Sequence, residues 1–525
     1  MVPRQHESVL SVPPYRDLGE LAHSNVRRLA ETKLDFHGVS LQQLRRQTQS
    51  EILREASTYT SSLVGESVSP AGQHPLIVTG HQPELFHAGV WAKNFAVAGL
   101  AGSSNGCALN LIIDNDTVTS TRIRVPVGTR QSPLIELVPF DVPQPQQPWE
   151  EALIADRSCF QAFGEQIQSR IQSAWNYEPL VTAAWPAAVR QAEISPRLSD
   201  CLTAARVFAE RRYGIRNLEV PMSRVCGTHA FGQFAVYLLV RLPKFHQLYN
   251  DAVRQYRAAH RLRSTTHPVP ELVAEGEWLE APFWIWRQGD QRRERPFARQ
   301  VGPNLELRGA RGDSIRLPLT LDSSLDPAAA ALVELNCQGI RFRTRALTTT
   351  LFARLFLADL FIHGIGGAKY DAMTDLICEQ FYGLMAPPFG TVSATVHLPL
   401  SEPYPFSIND LRESGHRIRD LRYNPERYLS VCGPRAVALK AEKEAILEEI
   451  RTGHERPSRL QHRRLGEINT ELFQHLEPIR RDLDATRAEL RWQLQANSVL
   501  QDREFSWCLH PEDRLISFYR REFPQ

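Results

Sequence analysis

A short apolar run that leads through a polar loop into a helical pattern restricts the fold more than any other feature of this chain. Residues 75–79, PLIVT, form a partly β-branched run that ends at Gly80, and WAKNFAVAGLA after Val90 has helical spacing. A second apolar run, ALNLIID at 108–114, follows a serine and glycine turn. These segments predict a strand, helix, strand crossover, which implies a parallel sheet and therefore an α/β protein.

Charge and composition exclude several classes of protein. The chain has 525 residues, of which 42% are hydrophobic, with 61 Lys+Arg against 59 Asp+Glu. A core of substantial size is therefore possible, whereas the one-sided basic field that nucleic acid or an anionic membrane requires is absent. The start, MVPRQHESVL, does not have the pattern of an export signal. We expect a cytoplasmic protein with neither nucleic acid nor a membrane as partner.

The eight cysteines are scattered along the chain, without a CxxC pair or a close Cys/His cluster. A reducing compartment and buried thiols fit this usage, so no cysteine is assigned to catalysis. HExxH is also absent, which argues against a metalloprotease. No residue is assigned to a metal, and whether a metal is required stays open.

The patterning predicts three regions. A helical N-terminal arm covers residues 1–70, an α/β core with an inserted middle segment covers 71–405, and a helical region with a closing segment covers 406–525. Within the core, residues 125–330 read as connections or short antiparallel strands around shorter helices. Residues 344–362 read as a strongly apolar helix, which a glycine turn separates from a second amphipathic helix.

Two helices, over about 434–451 and 457–500, are predicted to form an antiparallel hairpin that is broken by TGHERPS. The second helix has a narrow apolar seam made by Leu465, Ile468, Leu472, Leu476, Ile479, Leu483 and Leu490. Two interpretations remain open: an amphipathic helix that packs on its own domain, or a projecting coiled-coil arm that also forms a homodimer contact.

The densest polar segment, TGHQPELFHAGVWAKN, lies between a predicted strand end and a helix start. Ligands of open α/β sheets bind beyond the carboxyl ends of strands, where glycines and helix N-terminal amides accommodate anions. The spacing is neither a Walker A loop nor GxGxxG. The residues that we assign to cofactor or anion binding and catalysis here are Thr79, Gly80, His81, Gln82, His87, Gly89, Lys93 and Asn94.

Three polar residues, Asp114, Asn115 and Asp116, end the next predicted strand and should emerge at the same edge of the sheet. Paired acids at this place can orient an amine, bind a ribose or hold magnesium. The alternative is an Asx turn that only closes the strand.

A third cluster combines RFRTRAL with HGIGGAKYD. Arginine binds carboxylate or phosphate in a bidentate manner, and a glycine-rich turn lets backbone amides approach an anion. The glycines can equally form a helix C-terminal turn. The candidate substrate-binding residues in this cluster are Arg343, Arg345, His363, Gly366, Gly367 and Lys369.

The order of these features resembles the bacillithiol biosynthesis cysteine-adding enzyme family. PLIVTGHQPELFHAGVWAKNFAVAGLA is similar to that family's strand and Thr-Gly-Gln-Gln loop, and RFRTRALTTTLFARLFLADLFIHGIGGAKYDAMTDLICEQFYG is similar to its Arg-Pro-Arg-Ala segment. The helical hairpin with SVLQDREFSWCLHPEDRLISFY resembles its coiled coil and closing Leu-Gln-Glu-Arg segment. His81 replaces the first Gln of the loop, and Asp114-Asn115-Asp116 stands where the family has an acidic segment containing histidine.

The resemblance implies a Rossmann-like core similar to class I nucleotidyltransferases, a coiled-coil arm used in dimerisation, and ligation of cysteine to the amine of malyl-glucosamine. The departures indicate a divergent member that joins cysteine or a similar amino acid to a related amine acceptor. A free carboxylate needs activation before an amine can attack it, so we expect ATP or another adenine nucleotide to bind. His81, His87 and Lys93 would bind it, and Asp114 and Asp116 would contact the amine or ribose.

Two alternatives compete with a ligase. A nucleotidyltransferase would activate a small acid or phosphate ester without joining it to an amine, and HAGV at 87–90 loosely matches the signature of that superfamily. A non-catalytic dimeric scaffold would keep the fold, and it would differ by having a filled sheet edge beside His81 and Asp114.

Overall fold

The computed structural model describes residues 3, 5–72, 74–267, 269–309, 314–318, 325–429, 433–453 and 456–524. The chain forms two compact units. The first contains Met1–Val127, Ile135–Pro399 and Arg503–Gln525, and the second contains Gly128–Leu134 and Leu400–Asp502. This division places residues 1–70 and 503–525 in the same unit as the central sheet, whereas the sequence patterning separated them from it.

The strands and helices of the described residues are numbered in chain order. The strands are β1 (Ser8–Val12), β2 (Asp35–Phe36), β3 (Val39–Ser40), β4 (Leu76–His81), β5 (Cys107–Ile112), β6 (Arg122–Gly128), β7 (Pro133–Pro139), β8 (Leu218–Pro221), β9 (Ala274–Glu275), β10 (Trp278–Glu280), β11 (Phe283–Arg287), β12 (Phe297–Val301), β13 (Asn304–Arg308), β14 (Ser314–Pro318), β15 (Ile340–Thr344), β16 (Leu360–His363) and β17 (Gly390–Thr395). The α-helices are α1 (Tyr15–Glu31), α2 (Leu41–Val64), α3 (Ala88–Ser103), α4 (Arg157–Trp175), α5 (Val181–Ile194), α6 (Leu198–Arg212), α7 (Met222–Val225), α8 (His229–Val240), α9 (Leu242–Ala259), α10 (Asp326–Glu334), α11 (Ala346–Phe352), α12 (Ile365–Ile377), α13 (Ile408–Tyr423), α14 (Pro434–Thr452), α15 (Arg459–Gln474), α16 (Glu477–Leu500) and α17 (Glu512–Glu522).

A six-stranded sheet with the order β1-β17-β16-β4-β5-β8 organises the first unit. The pairs from β17 to β8 are all parallel, and only the edge strand β1 pairs in the antiparallel direction. The prediction of an α/β core with a mostly parallel sheet is therefore confirmed. In chain order, β5 and β8 follow β4 on one side of it, and β16 and β17 lie on the other side.

The inner strands are short apolar runs that are buried along almost their whole length, as strands covered on both faces require. The prediction of one apolar helix over 344–362 is wrong in its last part. The helix α11 continues as a π-helical turn, Ala353–Leu357, and the chain then enters β16. Periodicity does not distinguish a short buried strand from the end of a buried helix, which explains the error.

Helices pack against the sheet. The N-terminal helices α1 and α2 are present as predicted, and α2 contacts β8, α6 and α8. The helix α3 contacts β4, β5 and β17. Because α3 begins at Ala88, Lys93 lies in its second turn.

The middle segment is more helical than predicted. The prediction of short antiparallel strands holds for β9, β10, β12, β13 and β14, which form a five-stranded antiparallel sheet. The shorter helices predicted around these strands are α4, α5, α6, α8 and α9, which have 12 to 19 residues each and make up more of the segment than expected. In α4 the apolar positions Phe160, Phe163, Ile167 and Ile171 keep helical spacing and are buried, a period that the many polar residues between them obscured.

The second unit consists mainly of helices. The hairpin between α14 and α15 packs around Leu439, Ile468 and Leu472. The predicted long helix over 457–500 is wrong, because α15 ends at Gln474 and α16 begins at Glu477. Pro478 lies in the first turn of α16, and a proline there lacks the N–H that would continue the preceding helix. The proposed apolar seam is therefore divided between two helices.

Candidate functional site

A cavity of about 740 Å³ lies at the carboxyl edge of the central sheet in the first unit. Its lining includes residues that follow β4, β5 and β16, three neighbouring parallel strands. The strand order changes direction between β4 and β16, and this is the position at which open α/β sheets bind ligands. The topology therefore brings the three polar clusters of the sequence to one place.

His81 is the last residue of β4, and it is buried. Its Nδ1 lies 3.1 Å from the carbonyl oxygen of Gln82, and its Nε2 is buried without a hydrogen-bond partner among the described residues. Burial, together with the charges of Arg206 and Lys93, holds the pKa of His81 well below its ordinary value. His81 is consequently neutral, and it does not add positive charge to the cavity.

Lys93 lies on α3, and its Nζ donates to the carbonyl oxygen of Gly80 at 2.7 Å. Burial lowers the pKa of Lys93 to about 7. The aliphatic part of this side chain also lies beside Gly364, because a Cβ added to that glycine would stand 3.9 Å from Cδ of Lys93. Lys93 therefore connects the end of β4 with the turn that follows β16.

The first turn of α3 is capped from within the chain. Nδ1 of His87 accepts from the backbone N–H of Gly89 at 3.0 Å, and the carbonyl oxygen of His87 accepts from Val90. His87 Nε2 also lies 3.6 Å from a carboxylate oxygen of Glu504. The amides of Gly89 and Val90 therefore already have acceptors within the chain, although the sequence suggested that amides of this turn bind an anion. His87 is the N-cap of α3.

The turn after β16 differs, because α12 begins without a side-chain cap. Its first backbone bond runs from Ala368 N–H to the carbonyl oxygen of Gly364. The amides of Ile365, Gly366 and Gly367 precede that bond, and these three residues line the cavity. Helix N-terminal amides without protein partners attract anions, so this turn has the properties of a phosphate or carboxylate site.

His363 ends β16 and is buried. Its Nε2 lies 2.9 Å from Oδ2 of Asp371, and Asp371 in turn pairs with the guanidinium of Arg354. Burial lowers the pKa of His363, although Asp371 opposes that shift. The imidazole is therefore neutral near pH 7, with one ring nitrogen directed at a carboxylate.

The acidic segment after β5 does not act as one group. Asp114 accepts from the backbone N–H of Ser223 at 2.9 Å and from its hydroxyl, and burial raises the pKa of Asp114 to about 7. Asn115 donates to the carbonyl oxygen of Thr344 at 2.8 Å. Asp116 accepts from Gln82 at 3.1 Å and pairs with Arg293 at 3.1 Å. Asn115 and Asp116 line the cavity, but Asp114 does not.

The two arginines of the third cluster also separate. Arg343 forms a buried bidentate pair with Glu150, at 2.9 and 2.8 Å, away from the cavity. Arg345 lines the cavity, donates to the carbonyl oxygen of Phe283 at 2.8 Å and lies 2.7 Å from Glu280. Its Nη2 is buried without a hydrogen-bond partner among the described residues. Arg345 therefore brings a guanidinium with one unpaired nitrogen to the cavity wall.

The predicted site residues divide accordingly. Those that line the cavity are Gly80, His81, Gln82, His87, Gly89, Lys93, Asn115, Asp116, Arg345, His363, Gly366 and Gly367. Those that do not line it are Thr79, Asn94, Asp114, Arg343 and Lys369. Thr79 donates to the carbonyl oxygen of Ile362 and Asn94 to Glu210, both as buried structural contacts. Lys369 is an exposed residue of α12.

Sequence reasoning missed one wall of the cavity. The inserted segment supplies Trp284, Arg293 and Arg295, and the closing segment supplies Arg503. The guanidinium carbon of Arg345 lies 4.4 Å from the ring centroid of Trp284, and that of Arg293 lies 4.6 Å from the same centroid. The arginine-rich stretch after residue 290 was the available signal, but nothing in the sequence places it beside β4 and β16.

The cavity combines apolar walls with positive charge. Among the described residues that line it, five are Lys or Arg, namely Lys93, Arg293, Arg295, Arg345 and Arg503, and two are acidic, namely Asp116 and Glu504. The apolar surface comes from side chains such as Tyr249, Leu347 and Phe361. Such a site suits a small molecule that has an anionic group and an apolar or planar part.

The chain matches no protein-family model, and the search of curated proteins found no match. The described residues contain no group of three or more His, Cys, Asp and Glu side chains arranged to hold a metal ion. Over the same part of the chain, no helix combines the length and the apolar character needed to cross a membrane.

Proposed function

We propose that this protein is a carbon–nitrogen ligase that joins cysteine or a similar amino acid to an amine acceptor, after activating the carboxylate with an adenine nucleotide. The observation that carries the proposal is the uncapped N-terminus of α12 inside a cationic cavity at the point where the strand order reverses. An anion held there would lie beside Lys93 and Arg345, as the phosphates of a nucleotide require.

The strand order supports a Rossmann-like interpretation of the core. The sheet grows outward from β4 in two directions, and each of the flanking strands β4 and β16 leads into a helix. This arrangement places nucleotide phosphates at a helix N-terminus beside the switch point. We infer that the core is similar to that of class I nucleotidyltransferases.

Within this proposal the chain's own residues bind and orient the reactants. Amides of Ile365, Gly366 and Gly367 would hold phosphate oxygens, while Lys93 and Arg345 neutralise charge that develops on them. A bound nucleotide supplies the phosphoryl or adenylyl group that turns the carboxylate into an electrophile. Apolar walls limit the access of water, which would otherwise compete with the amine.

The cavity favours a ligand-binding protein over a non-catalytic scaffold, for which a filled sheet edge beside His81 was expected. The opening beside His81 instead has about 740 Å³. A nucleotidyltransferase without an amine acceptor would use the same cavity. Release of pyrophosphate with cysteine and ATP alone, at a rate unaffected by any amine, would favour that alternative.

We also propose that the protein forms a homodimer through its C-terminal helices. Exposed apolar side chains recur along these helices, with Val437 and Leu447 on α14 and Leu460 on α15, and they supply apolar surface that a partner helix would cover. Light scattering of the purified protein and of Leu460→Glu tests it. A dimer in which Leu460→Glu raises the dissociation constant at least tenfold is expected, and a monomer at micromolar concentration would contradict it.

The main test is to measure thermal stabilisation by ATP, and then product formation from ATP, cysteine and malyl-glucosamine by mass spectrometry. Lys93→Met keeps the packing but removes the charge, so it should weaken ATP binding about tenfold. Lys33→Met, at an exposed position in the first unit, is the matched control. Absence of ATP binding by the wild-type protein would reject the proposed function.

A further inference from the structure

The buried pair of His363 and Asp371 has the geometry of an oriented base, and the ligation needs one. After an amine attacks an activated carboxyl carbon, its nitrogen must lose a proton before the amide is stable. A base that performs this step needs a free ring nitrogen at the cavity and a second group that fixes its tautomer. Among the described residues, three histidines line the cavity, namely His81, His87 and His363, and the structure distinguishes them.

His87 is committed to α3, because its Nδ1 accepts from Gly89. The unbonded nitrogen of His81 is buried, so an amine cannot reach it in this conformation. Among the described residues, the ring of His81 has no carboxylate hydrogen-bonded to either nitrogen, so nothing of that kind fixes its tautomer. In His363, by contrast, Oδ2 of Asp371 lies 2.9 Å from Nε2 and accepts its proton.

The second nitrogen of His363 faces the turn that holds the anion. A Cβ built on Gly367 would stand 2.8 Å from Nδ1 of His363, so a side chain at this position would cover Nδ1, whereas glycine leaves room beside it on the side of the cavity that His363 lines. With the proton on Nε2, Nδ1 carries a lone pair beside the amides of α12. The base and the anion site are therefore adjacent parts of one turn.

We propose that His363 is the general base of the amide-forming step and that Asp371 is its positioning residue. The acceptor nitrogen attacks the acyl carbon, the bond from that carbon to the phosphate oxygen breaks, and the phosphate leaves with the bonding electrons. The proton of the nitrogen passes to Nδ1 of His363. This assignment rests on the proposed ligase function, and it replaces His81 and His87 as catalytic residues.

Charged groups around His363 keep the dyad in this form. Asp371 lies on α12, Arg354 lies on the π-helical turn after α11, and Lys93 lies on α3. Arg354 pairs with Asp371 and also lies 2.8 Å from Asp375, so a neutral residue at 371 leaves the guanidinium with a partner. Replacing Asp371 by asparagine therefore tests the orientation of the imidazole without leaving an unpaired buried charge.

The experiment measures ATP binding and amide formation for the wild-type protein, His363→Ala and Asp371→Asn, with ATP, cysteine and malyl-glucosamine. We expect both variants to bind ATP within threefold of the wild-type affinity. We expect amide formation to fall by about 10²–10⁴-fold in His363→Ala and to recover at least fivefold with added imidazole. Asp371→Asn should shift the acid limb of the pH–rate profile to lower pH, because the carboxylate that raises the pKa of His363 is lost.

His74→Asn is the matched control, since His74 also pairs with a carboxylate, Asp359 at 3.0 Å, but does not line this cavity. It should keep wild-type activity. Activity of His363→Ala within threefold of wild type would overturn the assignment of the base but not the ligase function. The same conclusion would follow if imidazole did not restore the activity of His363→Ala and the pH–rate profile of Asp371→Asn were unshifted. A wild-type protein that binds ATP but forms no amide with any amine would overturn the ligase function and this inference together.

Discussion

Two strand-to-helix turns flank the point where the strand order reverses, and they differ in how the first backbone amides of the helix are bonded. The turn between β4 and α3 contains more polar residues, yet His87 caps α3 and Lys93 donates to Gly80. The turn between β16 and α12 is poorer in polar side chains and leaves its first amides uncapped. A high density of polar side chains in a loop therefore does not identify an anion site, because those side chains can hydrogen-bond to the backbone groups of the loop and of the helix that follows it.

The largest expected effect separates two adjacent glycines of the second turn. A Cβ at Gly367 meets Nδ1 of His363 at 2.8 Å, whereas a Cβ at Gly366 meets nothing within 4 Å. We expect Gly367→Ala to lower the rate of amide formation about 100-fold, because it displaces the base. Steady-state kinetics should show a loss at least ten times smaller for Gly366→Ala, and equal losses would contradict the steric argument.

The turn after β5 extends the comparison to a third strand end, where Asp114 is structural. Its folded pKa of about 7 lies above the ordinary value of 3.8, so this group favours the folded state most at low pH. That stabilisation decreases as the pH rises from about 4 to 7, by about 2 kcal/mol between pH 5 and pH 7. Asp114→Asn removes this dependence, so its stability relative to wild type should increase from pH 5 to pH 7 in urea unfolding. A constant difference would show that Asp114 ionises normally.

The capped turn should respond in stability more than in binding. Removing the cap with His87→Ala should lower the free energy of unfolding by about 1 kcal/mol, because the amide of Gly89 loses its acceptor. The affinity for ATP should stay within threefold of wild type in calorimetry. A tenfold loss of affinity with unchanged stability would instead place the anion at α3.

The smallest expected effect concerns Lys93, which belongs to α3 but lies beside the second turn. Its pKa of about 7 leaves most of its amines uncharged at pH 8, and a bound anion favours the charged form. ATP binding at pH 8 should therefore take up between half a proton and one proton. Calorimetry in buffers of different ionisation enthalpy measures this uptake, and Lys93→Met should reduce it to near zero.

The sequence predicted the parallel sheet and the crossover at β4 because periodicity and turn signals are local properties. It also selected Arg345, His363, Gly366 and Gly367 for the cavity, without being able to show that they face β4. It failed where the outcome depends on distant partners. Arg343 pairs with Glu150 and Asp114 accepts from Ser223, so neither side chain lines the cavity. Both partners are remote in sequence from the residues that they bind.

The sequence also failed to identify β16, whose LFIH run continues an apolar helix without a break in pattern. This strand is what places His363 and the α12 amides at the sheet edge. The wall formed by Trp284, Arg293 and Arg503 depends on the packing of two segments that are remote from β4. No local pattern contains that information.

The most direct test of the account is to observe the glycine amides while an anion binds. Glycine-selective ¹⁵N labelling and a titration with ADP would follow Gly366 and Gly367 of α12 alongside Gly89 of α3. The account predicts large amide shifts for Gly366 and Gly367 that saturate together, with little change at Gly89. Shifts confined to Gly89 would place the anion at α3 and contradict the central claim.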